Sequence, residues 1–257
     1  MSLKTQIKYI RSLHQKKYRE KENVFIAEGI KIINEVLSAH PSAIKNLLYT
    51  PETKSRLKLE SLSENIRQTE IPPGDFQKIS ILKNPQGVMA VIQKPDSQIP
   101  SLAKAGDLVL ILDSIRDPGN LGTIIRLADW FGIGTIFCSE DTVECFNPKV
   151  VQATMGAIFR IKIFYTDLKN ILREFRTSGA TIYGSSLNGE NIYVKKLQFP
   201  AAVILGNEAH GISNILESEI NENLFIPNFS PSADRTESLN VSLAAAIICS
   251  EFRRQSV

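Results

Sequence analysis

Five polar side chains, spread over three places in the chain, have the types that could build a reactive site: Asn120 with Arg126, Glu208, and Ser238 with Asn240. A carboxylate, a guanidinium, two amides and a hydroxyl can together hold a polar substrate, move a proton and offset developing charge. They fall in three turn-rich segments, 113–122, 205–211 and 226–240. Singly, each has a bland explanation. Gly119 and Gly122 read as turn glycines, and Asn120 as the N-cap of a helix starting at Thr123. Arg126 reads as a surface cation, Glu208 as a partner for some lysine, and Ser238 or Asn240 as a cap for the last helix. Three such segments, each expected just past the end of a strand, exceed what capping requires, because open parallel sheets bind ligands at those ends.

Several chemistries are excluded. Neither Gly132-Ile133-Gly134 nor Gly206 to Gly211 completes the GxGxxG turn of a dinucleotide site, and no P-loop occurs. His14, His40 and His210 lack metal-ligand spacing, so no metal is expected. Cys138, Cys145 and Cys249 are odd in number and irregularly placed, which gives neither a disulfide framework nor a zinc site. Reduced thiols fit a cytoplasmic protein. No apolar run approaches the roughly 18 residues of a membrane span, and residues 1–25 are basic without the apolar core of a signal peptide.

The elements that must position these residues form two groups. Residues 1–94 read as a small α/β unit: strands at 24–29, 44–50, 65–71 and 89–92, with helices at 30–39 and 51–62. A Pro- and Ser-bearing linker follows at 95–106, then a unit over 107–257. Its apolar runs at 108–113 and 201–205 are what a parallel strand covered on both faces needs. Further strands are expected at 132–139, 159–164, 180–185 and 223–226, with helices at 123–131, 148–155 and 168–176. The small-residue run 241–249 reads as a helix packed closely against something. The fold class is α/β, an open parallel sheet preceded by a smaller α/β domain.

Charge divides along the same boundary. The net charge of +3 hides 16 Lys+Arg against 9 Asp+Glu in residues 1–94, and 14 against 18 in 95–257. A basic first domain suggests a polyanionic partner. Arg11, Lys16, Lys17 and Arg19 are its candidate phosphate contacts, joined by Arg116 and Arg235 in the second domain.

The run 113–128, DSIRDPGNLGTIIRLA, resembles the first motif of the SpoU-type RNA ribose methyltransferases of the knotted SPOUT superfamily. Residues 204–212, ILGNEAHGI, resemble the second, and Ile226-Pro227 with 238–246, SLNVSLAAA, the third. The three occur in the family's order and span the whole second domain. The first domain resembles the family's substrate-binding domain more weakly, through 24–29 and 84–91.

That resemblance implies a C-terminal trefoil knot and S-adenosylmethionine-dependent methyl transfer to a ribose 2′-hydroxyl in RNA. Ribosomal RNA is the expected substrate; transfer RNA is the alternative, and an inactive RNA-binding protein of this fold a second one. By position, Gly206, Ile226 and Leu239 would hold the cofactor through backbone groups, with Leu205 and Ser185 lining its adenine and ribose. Asn120, Arg126, Glu208, Ser238 and Asn240 carry over as the catalytic group, and the knotted regions would pair in a homodimer. The resemblance makes Arg126 the base. A guanidinium keeps its proton below about pH 12, so the other role is an electrostatic clamp on the RNA phosphate, with Glu208 orienting Arg126 or the amides holding the ribose. In one place the chain departs from the pattern: Asn228 stands where the family has Met, and 229–237 lengthen the loop without a glycine.

Overall fold

The computed structural model describes residues 2–62, 66–96, 99, 107–230 and 238–256. Packing divides the chain into two compact units, Met1–Asp96 with Glu144–Phe159 and Ser97–Val143 with Arg160–Val257. Most of the linker expected at 95–106 lies outside the described residues, as does Arg235.

The first unit opens on two short helices, α1 (Leu3–Ser12) and α2 (Lys16–Glu22), the second ended by Asn23 in a left-handed conformation, φ 52°. There follow β1 (Val24–Glu28), α3 (Ile30–Ala39), β2 (Ile44–Tyr49), β3 (Arg67–Glu70), α4 (Pro73–Phe76) and β4 (Val88–Gln93). Gly29, at φ 105°, makes the turn from β1 into α3. The sheet order is β1-β4-β2-β3, with β4 antiparallel to both neighbours and β2 parallel to β3. The helix expected over 51–62 is instead a pair of 3-10 turns, Pro51–Arg56 and Leu59–Ser61. Its sequence offers no continuous apolar stripe to bury, and helices this short draw their stability from such a stripe.

All five residues of β1 are buried, so both its faces are covered. Val24 and Ile26 join the core that includes Leu13, Phe76 and Val91. The cover for Phe25 comes from further along the chain: its ring lies 4.7 Å from that of Phe146 and 6.2 Å from that of Phe159. The helix Pro148–Thr154 packs on the same strand. Residues 144–159, assigned by sequence to the second domain, are therefore part of the first unit.

The second unit holds β5 (Leu108–Leu112), α5 (Pro118–Trp130) and β6 (Thr135–Cys138); the helix just named is α6 in chain order. Then come β7 (Lys162–Tyr165), α7 (Leu168–Thr177), β8 (Thr181–Asn191), β9 (Ala201–Leu205), α8 (Asn214–Glu217), β10 (Glu222–Phe225) and α9 (Val241–Gln255). Six strands pair in parallel in the order β10-β8-β9-β5-β6-β7. Every residue of β5 and β9 is buried, as their unbroken apolar runs require in the middle of a covered sheet. From β5 the chain runs to β6 and β7 on one side, then crosses to β8, returns to β9 beside β5 and reaches β10 on the other edge. The loops after β5 and β9 thus leave adjacent strands in opposite directions, where such sheets open a crevice.

Two helices differ from expectation. Helix α5 starts at Pro118 rather than Thr123, because the Asp117 carboxylate accepts the Asn120 backbone N–H at 2.8 Å and Pro118 fills the first helical position. Helix α9 runs on past the small-residue stretch to Gln255. It packs on α5 with Ala245, Ile248 and Cys249 buried, and Arg253 at its end donates to the Phe131 carbonyl at 2.7 Å while pairing with Asp107 at 2.9 Å. Among the described residues no helix is long and apolar enough to cross a membrane.

Candidate active site

Three segments reach the carboxyl end of the second sheet, each by a different local device. The loop after β5 carries Ser114 in a left-handed conformation, φ 58°. Ser139 Oγ accepts from the Ser114 N–H at 2.8 Å, and the Ser114 hydroxyl donates to Asp141 at 2.7 Å. These bonds hold a backbone conformation that non-glycine residues seldom adopt. The loop then turns into α5, whose first turn presents Asn120. The segment after β9 folds back on itself: Asn207 and Gly211 exchange both backbone hydrogen bonds, at 2.9 and 2.8 Å. A Cβ on Gly206 would lie 2.3 Å from the Gly211 carbonyl carbon, so only glycine fits there. Glu208 projects from this fold. The third device is the N-terminus of α9, capped by Asn240, whose Oδ1 accepts from the Ser242 N–H at 3.0 Å.

These devices bring Asn120, Glu208 and Asn240 together. Glu208 Oε1 accepts from Asn120 Nδ2 at 2.8 Å, from Asn240 Nδ2 at 2.7 Å and from the Val241 N–H at 3.4 Å. Asn240 Nδ2 also lies 3.0 Å from Asn120 Oδ1. The cluster is exposed to solvent, and the second carboxylate oxygen, Oε2, makes no hydrogen bond among the described residues. Capping and clustering thus coexist in one side chain: Asn240 caps a helix with its oxygen and meets Glu208 with its nitrogen. Asn120, by contrast, is not a cap; that task falls to Asp117.

Ser238 stands exposed just before this cap. Arg126 is exposed on α5, and among the described residues it has neither a hydrogen bond nor an ion pair, so Glu208 does not orient it here.

The expected cofactor residues divide by exposure. Gly206, Ile226 and Ser185 are half-buried and Leu239 is 47% exposed. Leu205 is wholly buried in β9 and its carbonyl accepts from the Asp113 N–H at 2.9 Å, so its side chain is core. Among the described residues the backbone groups of Gly206, Ile226 and Leu239 have no hydrogen-bond partner. Unpaired backbone groups at partly covered positions are donors and acceptors held ready for a ligand, which suits a cofactor gripped through the main chain. Among the described residues no group of His, Cys, Asp and Glu is placed to hold a metal. Burial pushes the Cys249 thiol up to about 12, which leaves it an inert thiol.

The candidate phosphate contacts fare unequally. Arg11, Lys16 and Lys17 are exposed; Lys16 pairs with Glu20 at 3.6 Å and Lys17 lies over the Tyr18 ring. Arg19 is a correction. It is only 1% exposed, its guanidinium bonded to the Leu13 carbonyl and the Glu144 carboxylate. A cation so enclosed braces the first unit and cannot reach RNA. Arg116 is exposed and pairs with Asp141 at 3.3 Å. Hydrogen bonds from Ser139 first, then Ser114 and Arg116, outweigh burial and hold the Asp141 carboxyl below its usual range.

The sequence also hides contributors. Asp113 Oδ2 accepts from the Ser213 N–H at 2.7 Å, and Asn207 Nδ2 donates to the Ser114 carbonyl at 2.8 Å. Both sit inside the quoted motifs, but nothing in their spacing says that they face each other's loops.

A parallel sheet with an Asn–Glu–Asn cluster at its switch point is the architecture of a ligand-binding protein of the doubly wound class. Residues 107–250 match the SpoU rRNA Methylase family, and residues 4–90 the MRM3-like substrate binding domain. The 23S rRNA (guanosine(2553)-2′-O)-methyltransferase RlmP of Bacillus subtilis (strain 168) is 32% identical over 96% of this chain and 95% of its own. Two solved structures are similar throughout. One is a TrmH-family protein from Porphyromonas gingivalis, with TM-score 0.87, 37% identity and 99% of each chain covered. The other is the AdoMet-bound rRNA methyltransferase from Sinorhizobium meliloti, with TM-score 0.86, 30% identity, and 100% of this chain and 97% of that one covered. The chain belongs to the SpoU rRNA methylase family.

Proposed function

We propose that this protein transfers a methyl group from S-adenosylmethionine to a ribose 2′-hydroxyl of ribosomal RNA. The observation that carries the reading is the Glu208 carboxylate, with Oε1 filled by Asn120, Asn240 and Val241 and Oε2 without a hydrogen bond among the described residues. The ribosomal RNA named for the Bacillus subtilis and Sinorhizobium meliloti relatives supports that substrate over transfer RNA.

When bound, the cofactor would supply an electrophilic methyl on a sulfonium, and Gly206, Ile226 and Leu239 would hold it through backbone groups that have no partner among the described residues, with Ser185 beside them. The chain's own residues then manage the hydroxyl. Glu208 Oε2 accepts the hydrogen bond of the ribose 2′-hydroxyl and takes its proton as the new C–O bond forms and the methyl–sulfur bond breaks, while three donors fix the position of Oε1 and hence the plane of the carboxylate. Asn120, Ser238 and Asn240 hold the ribose and its phosphate. Arg126, with no partner among the described residues, clamps a phosphate and lowers the cost of the developing alkoxide. Positioning of this kind supplies much of the acceleration.

The basic surface of the first domain, with Arg11, Lys16 and Lys17 exposed, contacts RNA backbone, and Arg116 and Arg235 serve the same end in the second. We further propose a cytoplasmic homodimer with a knotted C-terminal domain. An exposed Trp130 on α5 and an exposed Leu243 on α9, two helices that pack together, support pairing there.

The test is methyl transfer from labelled S-adenosylmethionine to ribosomal RNA, with titration calorimetry of the cofactor alongside. Binding with transfer supports the proposal. Cofactor binding without transfer to any RNA points to an inactive RNA-binding protein, and transfer only to tRNA to the other substrate.

A further inference from the structure

We propose that Asn207 is a positioning residue for this reaction, setting where the Glu208 carboxylate meets Asn120 and Asn240. The inference rests on the functional reading above for the reaction, though not for the geometry. Glu208 sits on an exposed loop, and an exposed carboxylate on a free loop would sample many positions. This loop is not free. Asn207 Nδ2 donates to the Ser114 carbonyl at 2.8 Å, across to the loop after β5, and Asn207 Oδ1 accepts from the Ala209 N–H at 2.9 Å. One side chain therefore spans Glu208 itself, bonded on one side to the neighbouring loop and on the other to the residue beyond.

The far end of the loop is pinned as well, by Asp113 Oδ2 on the Ser213 N–H at 2.7 Å. Between these pins the Asn207–Gly211 pair closes the turn, and Gly206, where a Cβ would lie 2.3 Å from the Gly211 carbonyl carbon, lets the two sides of the turn approach that closely. Ser114, the acceptor of the crosslink, is itself held by Ser139 and Asp141, so the brace ends on a fixed point. The chemistry demands an amide: a donor for Ser114 and an acceptor for Ala209 at once. Aspartate keeps the acceptor but sets a carboxylate oxygen against a carbonyl. Serine falls short, and glutamine overreaches.

An ordinary turn-closing asparagine would explain the Ala209 bond but not the crosslink to Ser114. A double-mutant cycle separates the two. If Asn207 acts through Glu208, Asn207→Asp lowers kcat by about tenfold or more in the native background. In a Glu208→Gln background it costs no more than about twofold, since the carboxylate it aims is gone. An equal loss in both backgrounds overturns the proposal, as does a kcat left unchanged. Asn207→Ala carries the same cycle if Asn207→Asp does not fold. The geometry has its own readout in the side-chain amide resonances of Asn120 and Asn240, measured by NMR without cofactor or RNA. Both resonances move in a folded Asn207 variant if Glu208 has been displaced; unmoved resonances contradict the proposal. A wild-type protein that methylates no RNA would sink the functional reading and leave the resonance test of the brace standing.

Discussion

At the scale of the residue, the proposed site turns on the two oxygens of Glu208. One is saturated by Asn120, Asn240 and Val241, so the carboxylate has a fixed plane and one working edge. Glu208→Gln replaces one carboxylate oxygen with an amide nitrogen, which donates and cannot accept, and should lower kcat by about 100-fold while cofactor affinity, measured by calorimetry, stays within a few-fold. Arg126→Ala should abolish transfer with cofactor binding retained; near-normal turnover would exclude both the base and the clamp. These five residues were legible in the sequence as candidates, because three polar segments at strand ends together exceed what capping requires, though each alone could be a cap or a surface charge. Their partners were not. Asn120 looked like a cap, and Arg126 like a neighbour of Glu208, since spacing along a chain says nothing about which of two loops a side chain turns toward. Arg19 shows the same limit: a basic residue in a basic stretch reads as surface until Glu144 is found against it.

At the scale of the element, Asn240 serves two structures at once, and they can be pulled apart. Asn240→Ala removes the cap of α9 and should cost about 1 kcal/mol of stability as well as activity. Asn240→Asp keeps an oxygen for the Ser242 N–H but loses the nitrogen that meets Glu208 and brings a second negative charge beside it. Thermal unfolding of that variant should stay near wild type while methyl transfer falls at least about tenfold. Elements with long apolar runs, β5, β9 and α3, were readable because burial dictates their pattern. The start of α5 was misplaced although Asp117-Pro118 carries both signals of a helix start, a capping carboxylate and a proline in the first turn. The polar stretch 51–62 failed for the opposite reason, having charge without an apolar face.

At the scale of the whole molecule, the first unit is completed by a segment that arrives much later in the chain. Glu144 binds Arg19 and, at 3.0 Å, Lys94, with all three side chains largely enclosed. Burial alone would raise the Glu144 carboxyl, but its bonds to Arg19 and Lys94 outweigh that and hold it below 4.5. Its contribution is therefore present above the unfolded value of 4.5 and disappears as pH falls through the lower folded value. Glu144→Ala strands the Arg19 cation and should destabilise the first unit by roughly 3 kcal/mol at neutral pH, a difference that narrows in acid unfolding series. A fragment of residues 1–96 lacks the cover for Phe25 and should unfold more readily than the same unit in the full chain. No sequence pattern announces this, because Glu144 lies 125 residues from Arg19 and Phe146 is comparably remote from Phe25. The central claim, ribose methylation of ribosomal RNA by the Asn120–Glu208–Asn240 site, meets its most direct test in mass mapping of 2′-O-methyl groups in RNA from cells lacking the protein. One ribosomal ribose should lose its methyl group, regaining it with the wild-type protein but not with Glu208→Gln. An unchanged ribosomal RNA methylation map, or full restoration by Glu208→Gln, would contradict it.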